Sequence, residues 1–174
     1  TTGGLALLGS GTATLENAGN TIVTFAADYD GSISLVESNT LVIGSVGSID
    51  GIDATGDLTL AVNAGATTFS QNVTVGGTLD VTAAAAMTVN SDVDAGVDVL
   101  LDVTGLLTVN GAVHADENLS SGGAGGLTLN SAGSLEATNI TLTHLGTVSL
   151  GSAIDITGNF SSTGNGNFSV TASG

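Results

Sequence analysis

The chain has 174 residues, with 16 acidic side chains, no Lys or Arg, two His and a formal charge of −16. Without cations to neutralise phosphates, nucleic acids and anionic membrane surfaces are poor partners. Without Lys there is no Gly-Lys-Ser/Thr phosphate loop, and without Cys neither a disulfide framework nor a Cys-ligated zinc site.

No run of about 18 apolar residues occurs, so no membrane-spanning helix is expected. No basic segment leading into an apolar one opens the chain, which predicts a mature or excised segment. Apolar residues make up 41% and charged ones only 9%, so the chain is no disordered acidic tail.

The first part of the chain, 1–45, is the less regular. Ala13-Thr14-Leu15, Val23-Thr24-Phe25, Ile33-Ser34-Leu35 and Leu41-Val42-Ile43 alternate as half-buried strands do. A loop is expected to bulge near 26–31. From 46 to 174 the pattern becomes periodic. One column of triplets reads Thr67-Thr68-Phe69, Met87-Thr88-Val89, Leu107-Thr108-Val109, Leu127-Thr128-Leu129, Val148-Ser149-Leu150 and Phe168-Ser169-Val170, spaced by 20 or 21 residues. A second runs through Ile52-Asp53-Ala54, Val73-Thr74-Val75, Val93-Asp94-Ala95, Val113-His114-Ala115, Leu135-Glu136-Ala137 and Ile154-Asp155-Ile156. A third runs through Leu58-Thr59-Leu60, Leu79-Asp80-Val81, Val99-Leu100-Leu101, Leu119, Ile140-Thr141-Leu142 and Phe160.

Repeats of this kind are solenoid signatures. Each lap of about 20 residues carries three short strands. In each triplet the outer two side chains share one face and the middle one takes the other. This predicts an all-β, single-unit parallel β-helix of about eight coils, ~40 Å long at ~4.8 Å per coil. Gly and β-branched residues are too frequent for helices. The missing Pro fits a backbone whose N–H groups must donate to the next coil. Gly105, Gly125, Gly146 and Gly166 recur at one turn, where a positive φ is easily reached. Asn90, Asn110 and Asn130 follow the first triplet in successive coils. They either stack as an amide ladder along the axis or simply favour turns. The two ends of such a rod expose unpaired strand edges, so the chain is expected to be a slice of a longer tube or a subunit that stacks end to end.

The segments Leu107-Thr-Val-Asn-Gly-Ala-Val113, Gly56-Asp-Leu-Thr-Leu60 and Asp50-Gly-Ile-Asp-Ala-Thr-Gly56 resemble the repeats of filamentous haemagglutinin-type adhesins and related large secreted bacterial β-solenoids. The resemblance is best from Val46 to Gly174 and lies in pattern and composition. It implies a right-handed coil, secretion, and a structural or adhesive role at the bacterial cell surface, with self-association and surface or host glycans as the expected partners.

Four groups of residues could carry chemistry. The outward column of the second strand contains Asp94, His114, Glu136 and Asp155, and a His between carboxylates on adjacent coils could hold a metal or act in acid–base catalysis. A raised His114 pKa would be its sign. The competing reading is that outward positions are polar, and in this chain often acidic. Asp28, Asp30, Asp50, Asp53 and Asp57 offer hard oxygens that suit Ca²⁺, the one cofactor considered. They match no twelve-residue calcium loop, and Asp also forms turns. Thr68, Thr88, Thr108, Thr128, Ser149 and Ser169 form a hydroxyl ladder of the sort that binds ice on flat β-solenoid faces. Thr is also the common outward strand residue.

The fourth group is enzymatic. Carboxylates ~5 Å apart would suit a polysaccharide-active site, but sugar platforms call for aromatics and the chain has only Tyr29 and four Phe. With no Gly-x-Ser-x-Gly and His144 standing alone, no enzyme is expected. Asn-x-Ser/Thr sequons at Asn72, Asn118, Asn139, Asn159 and Asn167 are by-products of the repeat register.

Overall fold

The computed structural model describes residues 3–164 and 166–171. Among them the secondary structure is all β, without a helix, and the strands pair in parallel from coil to coil. The result is a β-solenoid of about eight turns. Backbone hydrogen bonds run along the axis: Leu107 N–H donates to Gly126 O at 2.9 Å, and Leu127 N–H to Thr147 O at 3.0 Å.

The three columns become three faces. On the first, Thr68, Thr88, Thr108, Thr128, Ser149 and Ser169 are successive register partners. On the second, Asp28, Asp53, Thr74, Asp94, His114, Glu136 and Asp155 stack in that order. On the third, Leu58, Leu79, Val99, Leu119, Ile140 and Phe160 do so. The spacing read from the sequence is therefore the spacing of the coils. The inward members, among them Leu79, Met87, Val99, Leu107 and Ile140, are buried and fill the tube. Each such side chain contributes roughly 1.5–3 kcal/mol.

Residues 26–31 do not form the expected loop. Thr24–Glu37 is one continuous strand, with Ala26 and Ala27 buried. It serves all three faces in turn, pairing with Val42-Ile43, then Ile52–Ala54, then Leu58–Val62. Gly4–Leu15 pairs with it throughout. The extra length lies one coil later. Only residue 26 separates Phe25 from Ala27, whereas residues 44–51 separate their partners Ile43 and Ile52. That insertion holds a small antiparallel hairpin, Ser45–Val46 with Ile49–Asp50, closed by Gly47 at φ 66°. The insertion falls at a corner because a break within a face would turn its inward side chains outward.

The recurrent turn glycines serve a purpose other than the expected one. None of Gly105, Gly125, Gly146 and Gly166 has a positive φ. A Cβ on Gly105 would lie 2.6 Å from Ala86 N, and one on Gly146 2.6 Å from Gly126 N. On Gly125 it would strike Gly105 O, and on Gly166 the Gly146 O. At this corner the backbones of successive coils approach so closely that only hydrogen fits between them. Gly125→Ala is accordingly expected to destabilise the chain by about 1–3 kcal/mol through overpacking, measured by urea unfolding. A loss below about 0.5 kcal/mol would mean the corner relaxes freely.

Candidate functional site

The groups with the most chemistry sit on the second face. Parallel register brings His114 between Asp94 and Glu136. His114 Nδ1 lies 2.7 Å from Asp94 Oδ1, and its Nε2 lies 3.7 Å from Asp116 Oδ1. Asp116 reaches this position because the chain bulges between Ala115 and Asn118. His114, Asp116, Glu136, Thr138, Asp155 and Thr157 line an open groove of about 170 Å³.

The Asp94 hydrogen bond raises the His114 pKa above its ordinary 6.5. The charges of Asp94, Glu136 and Asp116 add to this, and partial burial opposes it. The charged form is favoured in the fold, so its stabilisation is present below pH 6.5 and is lost as pH rises through the raised value. The groove can hold an imidazolium against three carboxylates. That is a locally compensated charge on an otherwise uncompensated surface.

The five aspartates considered for calcium do not converge. Asp28 and Asp30 point outward from one strand on either side of buried Tyr29, and Asp53 is the neighbour of Asp28 on the next coil. Asp30 accepts from Thr55 Oγ1 at 2.8 Å, Asp57 accepts from Thr78 N–H at 2.9 Å, and Asp50 sits in the exposed hairpin. Among the described residues no three His, Asp or Glu side chains come together as a metal-binding group. The hydroxyl ladder Thr68 to Ser169 forms a single rank in unbroken register. Beside it the Asn ladder closes: Asn110 Nδ2 donates to Asn90 Oδ1 at 2.8 Å, and Asn130 Nδ2 to Asn110 Oδ1 at 2.6 Å.

Three features escape the sequence reading. A second ladder links Asp98, Asn118, Asn139 and Asn159, with side-chain bonds of 2.8, 3.0 and 3.2 Å. Three of the sequon asparagines mark it. Glu37 is fully buried at an inward position, where its two oxygens accept from the backbone N–H groups of Ile22 (2.7 Å), Ser38 (3.0 Å) and Asn39 (3.2 Å). Its place two residues after inward Leu35 could have revealed it. His144, likewise fully buried, has Nε2 2.8 Å from Ser121 Oγ, while Nδ1 has no hydrogen-bond partner.

Burial lowers the His144 pKa below 6.5. The Gly125 backbone and Asp102 act in the opposite sense, although Gly125 does not reach hydrogen-bonding geometry with Nδ1. Its neutral form is favoured, so it costs stability as pH falls below 6.5, by at most about 1.4 kcal/mol per pH unit. Ser121 and His144 have the spacing of a nucleophile and base, but both are enclosed in the core. On the third face, Gly122 and Gly123 leave a notch of about 370 Å³ bordered by Asp80, Asp102, Ser120, Thr143 and exposed Leu100.

These observations define a repeat protein of the parallel β-solenoid class, its outer polar groups ordered in axial columns. No family model, curated protein or solved structure matches the chain. No helix among the described residues is long and apolar enough to cross a membrane.

The two histidines should titrate in opposite directions. In a proton NMR titration His114 is expected above 6.5 and His144 below it. Asp94→Asn should return His114 toward its ordinary value and leave His144 unmoved. A His114 that titrates normally in the wild-type chain would refute the Asp94 coupling.

Proposed function

We propose that the chain is a structural or adhesive rod: a segment or subunit of a secreted, bacterial cell-surface β-solenoid. The observation that supports it best is the direction of the polar contacts. The two Asn ladders, the His114–Asp94 bond and the carboxylate-to-amide bonds of Asp57 and Asp98 all run from one coil to the next. Groups that elsewhere build a reactive centre here hold coils together along the axis. The chain works by presenting a stiff length, and its uncompensated negative charge keeps neighbouring rods apart or invites bridging cations. The resemblance to filamentous haemagglutinin-type repeats points the same way. Glycans are the class of surface ligand this reading carries, and no catalytic step is assigned. Antibody against the chain should label intact source cells before permeabilisation. Labelling only after permeabilisation would overturn the surface assignment.

A second reading, ice binding, has the unbroken hydroxyl rank Thr68–Ser169 in its favour. It predicts thermal hysteresis that Thr108→Tyr abolishes. Hysteresis untouched by that change, or none in the wild type, removes this reading.

A further inference from the structure

Two departures from the coil pattern coincide at the notch on the third face. One outward column there reads Thr59, Asp80, Leu100, Ser120, Thr141 and Ser161 in register. Leu100 is its apolar member, and it is 39% exposed. The adjoining column runs Thr82, Asp102, Gly122 and Thr143, so a side chain is missing beside the leucine.

The core requires neither departure. Leu100 points outward between buried Val99 and Leu101. Gly122 has no positive φ, and a Cβ on it would clash only with the Thr143 side chain, which can turn away. A Cβ on Gly123, by contrast, would strike the Val103 backbone.

The notch measures about 370 Å³, at the small end of the ~300–1,000 Å³ of ligand pockets. Asp80 and Asp102 stand diagonally in it. They are one coil apart along the axis and two positions apart along the strand, or ~8 Å. Asp57, Asp92 and Asp98 lie at strand starts and accept amides from the next coil. Asp80 and Asp102 lie inside Leu79–Ala83 and Asp98–Val103, where the ladder already uses the N–H groups, and both are exposed.

The lining adds the hydroxyls of Thr82, Ser120 and Thr143 and no cationic group. Its chemistry narrows the ligand. Two uncompensated carboxylates repel sulphated and uronic sugars. A simple amine would answer the charge but leave the hydroxyls and Leu100 unused. A neutral or N-acetylated sugar would bond the hydroxyls but bring no counter-charge. A ring that carries both hydroxyls and a free ammonium meets every group, and its C–H face can lie on Leu100 where an aromatic would otherwise serve.

We infer that this notch binds a sugar with a free amino group, one hexosamine unit of a deacetylated amino-sugar polymer. The ammonium sits on Asp102, beside the space left by Gly122. The ring crosses Leu100, and its hydroxyls donate to Asp80. This rests on the surface-glycan part of the proposed function and names the sugar.

Amide NMR of the isotopically labelled 174-residue chain, titrated with the glucosamine trimer, tests this. Saturable shifts should centre on Leu100–Asp102 and Ser120–Gly123, with millimolar affinity that weakens as salt is added. The N-acetylglucosamine trimer and putrescine, an amine without the ring, should each bind more weakly. Asp102→Asn and Leu100→Ser should each weaken binding about fivefold, the upper range for an exposed charge pair. Gly122→Thr refills the column and should abolish binding. Asp155→Asn, on the second face, should leave the affinity unchanged. Circular dichroism reports whether each variant keeps its coils, and the isosteric Asp102→Asn decides where Gly122→Thr does not fold.

Shifts centred on the second face, or an equal loss with Asp155→Asn, would mean general attraction to an acidic surface and overturn the site. N-acetylated trimer or putrescine binding as tightly would overturn the amino sugar as its ligand. So would the absence of saturable shifts at tens of millimolar. Surface labelling of source cells is a separate readout, so a failed notch and a failed surface assignment are told apart.

Discussion

Along the three faces, among the described residues, backbone N–H groups find their acceptors one coil away, about 20 residues distant in sequence. That constraint governs the rest. A strand residue is fixed less by its chain neighbours than by the residues above and below it. A shift of one position would turn an entire face inside out. Length changes are therefore confined to corners. The hairpin at 45–50 and the bulge between Ala115 and Asn118 both lie between faces, and the inward columns pass them undisturbed. Close backbone approach at one corner explains the recurrent Gly105, Gly125, Gly146 and Gly166 without any unusual dihedral angle, since Gly125 needs to lack a Cβ rather than to reach a special φ.

A chain with no Lys or Arg must satisfy its carboxylates without salt bridges to them. The coil geometry supplies the substitutes. Asp57, Asp92 and Asp98 each accept a backbone N–H from the following coil, at 2.9, 2.9 and 3.0 Å. Glu37 takes three such groups in the core. Charge-assisted bonds of this type are about twice as strong as neutral ones. The acidic residues thus tie coil to coil, and the amide ladders continue the same role without charge. His114, whose imidazole meets Asp94, makes that contact along the axis as well.

Periodicity made the columns legible, because a parallel solenoid maps register directly onto sequence spacing. The first, second and third faces, and the pairing of Asp94 with His114, could be read by counting. So could the stacking of Asn90, Asn110 and Asn130, although counting could not choose between ladder and turn. Reading failed where a residue's role depends on distance across coils rather than on spacing. Residues 26–31 looked like a loop because Asp28, Asp30 and Gly31 are turn formers. Continuous pairing on both sides overrode that preference and kept them in a strand. The Asp98–Asn118–Asn139–Asn159 ladder keeps the same spacing, but its asparagines read in the sequence only as sequons and their axial bonding went unread. Glu37 and His144 were passed over because polar residues are placed outside by default, and only local alternation places these two inward.

Inward polar residues show how the core tolerates exceptions. In one inward column Val62, Ala83 and Val103 give way to Gly123 and then His144. The glycine surrenders the volume that the imidazole needs, and Ser121, at a site held by Leu101 one coil earlier and Leu142 one coil later, supplies a hydroxyl. The exchange conserves volume along the axis, as close packing demands. One nitrogen is left without a partner. A core built from repeated slices can absorb a misfit residue only by altering the slices directly above and below it. The unit of design in this chain is therefore the axial column rather than the single lap.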